Sequence, residues 1–480
     1  MATTTVDNRK VEVTFHTIEA ELAKQTGPIT AFVPKNNKEI MQRAKTEGVV
    51  DSGAFEDCNI FDGNDTKVVD EQKQIRQEAK RAYEVLNIIQ QGGEVEFEPH
   101  EELEFELLQL FVDQSLTRAT LVEAARKYSL ESKAGTLTPE RKNLYLGQLD
   151  IAQKELFPSP DERTAHYALA VILKNNEASV ISKDLGQYGF LDFDPSSYLS
   201  GSLLSEEKAR QWHGYLHKEF DPLYDAMKLS WGNKMLEGEA LKEATVEFMH
   251  RHGLPIKSEL QDGWTVRYDE QARGFRVDPN PREVVVGARD RALTYDEFFE
   301  LMMHEIVIHA TRAQNGHSTG YGALRSGLPG YVEPEEGLGI VIQRLWAGDS
   351  LDDLALDHFR YAVLCYSDGV YDSEKHTEQE TLDFAIDIME RSGYKDFADG
   401  TLSIPNEAAM CTMRAFRGMP PERRMMSNLS YLAGKVEIAG LLEQSDKSPA
   451  EQLWKLQRGK TNPLDPKHEE LMERIAARAA

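Results

Sequence analysis

Only three cysteines, Cys58, Cys365 and Cys411, occur in 480 residues, and they lie far apart. This excludes a disulfide framework and any C-x-x-C metal or redox motif, and it fits a reducing compartment. Positive charge is also scarce. Lys and Arg number 55 against 81 Asp and Glu, a formal net charge of −26. A surface that neutralises phosphates needs clustered basic residues, so neither nucleic acid nor an anionic membrane is an expected partner. No apolar run reaches the ~20 residues of a membrane span. The stretch "YALAVIL" at 167–173 falls far short. The opening "MATTTVDNRKVEVTF" lacks a charged region followed by an apolar run, so no secretory signal is read. Together these absences point to a cytoplasmic protein.

What is present is an ordinary globular composition, 40% hydrophobic and 28% charged, in a chain long enough for a well-buried core. Residues 10–18 ("KVEVTFHTI") read as β-like. Residues 68–90 carry apolar positions at helical spacing and predict an amphipathic helix. Further helices are predicted after Pro99, at 117–129 and at 138–154. Residues 1–150 thus read as an acidic, mostly helical N-terminal region of unknown role, and 151–480 as the domain that carries the chemistry. Helices at 205–218 and 237–252 precede a β-rich interval, "GWTVRYDEQARGFRVDPNPREVVVG", which predicts two or three short strands. From there the chain is again mainly helical.

One helix stands out. Thr294 and Glu297 form a T-x-x-E capping box and Asn315-Gly316 a stop signal, which predicts a helix over 295–315. Its apolar residues cover nearly every face, so it is buried on most sides. Inside it, "HEIVIH" sets His304, Glu305 and His309 close to the H-E-x-x-H pattern. There two histidines each give a metal an imidazole nitrogen, and the glutamate serves as general base. The second histidine is one residue late. A four-residue step returns to within about 40° of the same helix face, whereas five residues miss by about 140°. One π-bulge restores the alignment, so the spacing predicts a widened turn at Ile306–Ile308. A regular α-helix there would count against a metal site, and the plainer reading is two core histidines.

Catalytic zinc keeps three protein ligands, so a third is needed. "YVEPEEGLGIVIQRLW" at 331–346 starts a second helix at Pro334, with Glu335 and Glu336 in its first turn. Acids there can simply complement the helix dipole. Either can also be a ligand, and Gly337 and Gly339 let this helix approach another closely. His213 and His217 show i, i+4 spacing, but no Glu follows His213 and no third ligand is evident, so they read as structural. His250, His252 and His317 read as exposed or loop histidines.

The pair "HEIVIHATRAQN" and "EPEEGLG" resembles the H-E-x-x-x-H and Q/E-E-G-L-A motifs of the tyrosine carboxypeptidase family. That family includes animal microtubule-associated tyrosine carboxypeptidases and bacterial flavohemoglobin expression-modulating QEGLA-motif proteins. "TMRAFRGM" and "LSYLAGKVEIAGLL" are similar to its R-x-x-R-G and Y-L-x-G segments, so the resemblance spans about residues 150–480. The chain departs from the pattern with Gly339 for the usual Ala and with "IVI" where I-G-T is common. The resemblance implies that His304, His309 and Glu336 hold one Zn2+ and that Glu305 is the catalytic base. Glu336 is chosen over Glu335 because the position before E-G-L is often Gln in the family.

The expected fold is α+β and predominantly helical, a gluzincin-like zincin with a small antiparallel sheet beside the active-site helix. The expected function is a zinc metallocarboxypeptidase that removes an aromatic residue, Tyr or Phe, from a peptide or protein C-terminus by Glu-assisted attack of metal-activated water. Such an enzyme must grip a terminal carboxylate, best done by an arginine fork. Arg312, Arg414 and Arg417 are the candidates, with Lys435 behind them, and Tyr431 is the candidate for the oxyanion. A salt bridge or a packed tyrosine is the plainer reading of each. The strand at 282–287 offers itself for pairing with substrate backbone. The alternative function is a non-catalytic regulatory or scaffold protein that retains a structural zinc site.

Overall fold

The computed structural model describes residues 2–6, 9–13, 37–50, 99–176, 185–190, 193–199, 201–258, 262–288 and 292–479. The helix expected at 68–90 and Cys58 lie outside them. Strands Ala2–Val6 and Arg9–Val13 form an antiparallel pair, and a helix covers Asn37–Glu47. Elements from residue 99 onward are labelled below.

Helix α1 (Pro99–Lys133) is one continuous helix where two were expected. No glycine or proline interrupts it. Its polar middle stays helical because Ser115 and Thr117 donate their hydroxyls to the Phe111 and Asp113 carbonyls one turn back. Helix α2 (Pro139–Leu156) starts at a Thr138 cap with proline in its first turn, so the boundary expected near residue 150 falls inside a helix. The apolar face of α1 packs through Leu103, Leu107 and Phe111 on Leu324, Leu328, Leu471 and Met472. Residues on both sides of position 150 therefore share one core cluster.

Helix α3 (Glu206–Trp231) runs past Pro222 and ends 13 residues later than expected. Helix α4 (Gly238–Arg251) packs on a three-stranded sheet. Its strands are β1 (Thr265–Arg273), β2 (Phe275–Asp278) and β3 (Glu283–Ala288), in spatial order β1-β3-β2. The sheet is mixed rather than antiparallel, since β3 runs parallel to β1 and antiparallel to β2. The unbroken apolar run Val284-Val285-Val286, buried on both faces, explains why β3 lies in the middle. With both of its edges paired, β3 has no free edge for a substrate strand, which corrects the pairing expected at 282–287.

Beyond the sheet come α5 (Tyr295–His304), a π-helical segment (Glu305–Ala310) and α6 (Thr311–Ser318), all on one axis. The Thr294–Glu297 capping box is present as predicted. Asn315-Gly316 does not stop the helix. A Cβ on Gly316 would lie 2.2 Å from the Leu324 carbonyl oxygen, so the glycine serves a close backbone approach. Phe298, Phe299, Met302, Met303, Ile306, Val307 and Ile308 are fully buried in the largest core cluster. The axis packs on α7 (Val332–Ala347), which packs in turn on α10 (Leu429–Gln444). Helices α8 (Leu356–Ser367) and α9 (Ile404–Phe416) build a second core cluster, and α11 (Pro466–Ala479) packs with α1. The described residues are predominantly helical, with the three-stranded sheet and the N-terminal strand pair, and strand β2 packs against the π segment. Among the described residues, no helix is long and apolar enough to cross a membrane.

Candidate metal centre

The extra residue between the two histidines is absorbed where the spacing predicts it. Over Glu305–Ala310 the helix opens into a π turn, and the Thr311 N–H reaches back five residues to the Ile306 carbonyl. The same carbonyl accepts the Thr311 hydroxyl at 2.9 Å. With that hydroxyl proton committed, the 3.0 Å contact between Thr311 Oγ1 and His252 Nε2 makes the imidazole the donor. Burial pulls the His252 pKa down to about 4, which keeps the ring neutral. His252, in the turn that follows α4, is thus a half-buried support of the widened turn. The Val307 carbonyl is met by the Gln457 side-chain amide at 2.7 Å, so the loosened turn leaves neither of these carbonyls unsatisfied. As a result the His304 and His309 rings stand 4.9 Å apart, centroid to centroid.

The third donor arrives on α7, which packs backbone to backbone on α10. A Cβ on Gly337 would sit 2.0 Å from the Gly434 carbonyl carbon. This approach places Glu336 Oε2 3.7 Å from His304 Nε2 and 3.9 Å from His309 Nε2. These spacings are too long for hydrogen bonds and slightly wider than the roughly 3.3 Å between ligands on a tetrahedron with ~2 Å bonds. The donor atoms of His304, His309 and Glu336 all lie within 4.8 Å of one another, and among the described residues they are the group that fits a metal ion. Burial pushes the Glu336 carboxyl up, but His304 and His309 more than offset this and hold it below its ordinary value.

Gly339, the departure from the family pattern, has a steric reason. A Cβ there would lie 2.7–2.8 Å from three atoms of the His304 ring. Gly339→Ala is therefore expected to displace that ring and weaken metal binding about tenfold or more. A competitive zinc titration checks this, and unchanged affinity would remove His304 from the ligand set.

Glu335 points the other way, as a step of about 100° along a helix requires. His309 Nδ1–H donates to its Oε1 at 2.8 Å, which fixes the tautomer and leaves Nε2 facing Glu336. Behind Glu335 stand Arg312, whose Nη1 lies 3.1 Å from Oε2, and Lys460, whose ammonium contacts Oε1. Burial pushes the Glu335 carboxyl up, but Lys460, Arg312 and His309 hold it well below the carboxylate range. Arg312 is only 1% exposed, and its Nε donates to the Gly459 carbonyl. It braces the metal cluster from behind and cannot reach a substrate, which corrects its expected role.

The other expected residues separate into two groups. Glu305 heads the π turn half-buried, and its charge acts on both His309 and Tyr431. The charge of Glu336, with burial, raises the Tyr431 hydroxyl above its ordinary value. Arg414 is near enough to oppose that shift, as is Arg360, whose guanidinium lies 5.4 Å from the Tyr431 ring centre. Tyr431 is thus acted on by both acids of the site and by Arg414 and Arg360, the last a residue without a sequence signal. Lys435 is fully buried, 2.8 Å from Asp357 and 3.3 Å from His358 Nε2. Arg417 caps the end of α9 and is not among the groups that act most on Tyr431.

His213 and His217 are structural, as expected. Their rings hydrogen-bond the Leu345 and Trp346 carbonyls in the last turn of α7, and His217 stacks on Trp346. His250 is exposed and His317 half-buried. Thr311, His252, Gln457, Lys460 and Arg360 carried no motif of their own. The one sequence signal for the first three was the misplaced histidine, which required something to hold an irregular turn.

Fold and site together define a predominantly helical protein with a His-His-Glu cluster, built on a π-bulged helix, that could hold a metal ion. Comparison of the chain with family models, curated proteins and solved structures finds no match.

Proposed function

We propose that this protein is a zinc-dependent carboxypeptidase. The observation that carries the proposal is the convergence of His304, His309 and Glu336 with Glu305 beside them. Two imidazoles and a carboxylate are a donor set suited to zinc, and three protein ligands leave a position open. The cluster is also partly open to solvent, with side-chain exposures of 12% for His304, 10% for His309 and 24% for Glu336. That favours catalysis over a closed structural site. When bound, zinc would supply Lewis-acid polarisation of the scissile carbonyl and acidify water at the site.

The chain's own residues supply the remainder. Glu305 would take a proton from the attacking water as the C–O bond forms and return it to the departing amine, so that the C–N bond of the resulting tetrahedral species breaks. Tyr431 remains protonated and can donate its hydroxyl to the oxyanion that develops. Arg414 would receive the terminal carboxylate. Glu335, Arg312 and Lys460 keep His309 aimed.

The test is zinc content of the purified full-length chain, followed by mass-spectrometric detection of single-residue loss from peptides ending in Tyr or Phe. Stoichiometric zinc without loss of a residue from any peptide would overturn the reading. Internal cleavage of a C-terminally amidated peptide would make the protein an endopeptidase instead.

Metal loading is expected to depend on pH. Burial lowers the His309 pKa, but the hydrogen bond to Glu335 and the charges of Glu336 and Glu305 outweigh it, so metal-free His309 holds its proton above 6.5. The metal must displace that proton. Zinc affinity should therefore weaken as pH falls through this raised value and level off well above it. Zinc titrations between about pH 6 and 8 read this directly.

A further inference from the structure

Helix α2 buries Tyr145, Leu149 and Ala152 against α1 and leaves its opposite face uncovered. On that face Leu144 and Ile151, two turns apart, are 56% and 63% exposed. Between them lies Gly147, where an added Cβ would meet nothing within 4 Å. Glycine in a helix interior destabilises it relative to alanine. Among the described residues, neither a close neighbour nor a left-handed backbone requires the glycine here. At Gly337 and Gly434, by contrast, it lets α7 and α10 touch backbone to backbone.

The charges around this face have partners, with two exceptions. Arg141 pairs with Glu131, Lys142 with Glu422 and Asp150 with Arg423, and Glu155 accepts from Thr117. Among the described residues, Glu140 and Lys154 form no ion pair, and each complements its own end of the helix dipole. Both lie on the same ~80° of helix surface as Leu144, Gly147 and Ile151. They stand seven residues to either side of Gly147, about 21 Å apart along the axis and too far to meet each other. A second α2 crossing antiparallel at Gly147 brings its own Lys154 level with Glu140. It also brings Ile151 of that copy within about 1.5 Å of the level of Leu144. A two-fold axis makes each contact twice. The face is thus complementary to itself in this direction, whereas a parallel pairing sets like charges together.

We propose that the exposed face of α2 is a homodimer interface, in which two copies cross antiparallel at Gly147 with Leu144 against Ile151 and Glu140 against Lys154. This is independent of the metal cluster and of the carboxypeptidase reading. Two chains of net charge −26 repel each other, but at about 0.15 M salt charges more than ~8 Å apart are largely screened. One helix pair is a small interface, so the expected dissociation constant is about 10 μM.

The test is sedimentation velocity of the full-length chain at about 0.15 M salt, over roughly 1 to 200 μM. A reversible monomer–dimer equilibrium is expected. Ile151→Glu should weaken it about 100-fold, because two copies of that side chain leave the interface. Glu140→Lys and Lys154→Glu should each weaken it about tenfold. Both substitutions in one chain should restore the affinity to within about threefold, and so should an equimolar mixture of the two single variants. These side chains are exposed, so circular dichroism should not change. A chain that stays monomeric at about 200 μM overturns the proposal and leaves the face to another segment or another protein. A dimer indifferent to Ile151→Glu, or one that the mixture does not restore, also overturns it. Should Ile151→Glu not fold, the mixture of charge variants decides alone.

Discussion

Glu305→Gln is expected to keep the metal and lose the reaction. Glu305 is not one of the three converging donors, so its amide isostere should leave zinc stoichiometry unchanged. It stands at the head of the π turn, where its charge acts on His309 and Tyr431. An amide there cannot accept a proton from water, and loss of a general base costs about 10²- to 10⁴-fold in rate. Peptide-hydrolysis rates measured beside zinc content separate the two effects. A variant that hydrolyses at the wild-type rate would remove Glu305 from the mechanism, and one that loses zinc would make it a ligand.

Glu335→Ala carries the second large effect, on both folding and metal binding. The substitution leaves Arg312 and Lys460, 1% and 5% exposed, without the carboxylate between them. Breaking a buried ion pair from one side costs about 3–5 kcal/mol. It also frees the His309 ring to turn, and loss of such an outer partner weakens metal binding about 10- to 100-fold. Glu335→Gln divides the two consequences. Its amide oxygen still accepts from His309 Nδ1–H, so zinc affinity should fall much less, while the missing charge still destabilises the fold. The sign with pH follows from the depressed Glu335 pKa. The stability that the carboxylate contributes is fully present above its ordinary value of 4.5 and is lost as pH falls toward the folded value. The difference in melting temperature between wild type and Glu335→Gln should therefore be constant near neutrality and narrow in acid. Wild-type zinc affinity in Glu335→Ala would show that His309 needs no such support.

Much of the site was legible because its signals are local. The capping box at Thr294 and Glu297 announces the helix, and the five-residue step from His304 to His309 announces the irregular turn. Glu336 was one of two acids that spacing alone left open, and the resemblance to the Q/E-E-G-L-A motif selected it. What sequence could not convey depends on partners far along the chain. Arg312 has the look of a substrate-binding arginine until Gly459, Lys460 and Glu335 close around it. Gly316 imitates a helix stop because the Leu324 backbone that requires it comes from another element. Strand β3 reads as a pairing edge until β1 and β2 occupy both its sides. Arg360 has no motif at all, and only its position over Tyr431 marks it.

The widened turn can also be viewed as an insertion, and its neighbours show why it resists deletion. Removing one residue from 306–308 would restore the four-residue spacing of the common zinc signature. It would also rotate everything downstream by about 100° and shift it by about 1.5 Å. Arg312 would swing away from Glu335 and Gly459, Asn315 from the Gln457 carbonyl, and Gly316 from its contact with Leu324. A deletion that repairs the motif would thus dismantle the scaffold behind it. The five-residue step is held in place by the supports behind it as much as by the two histidines.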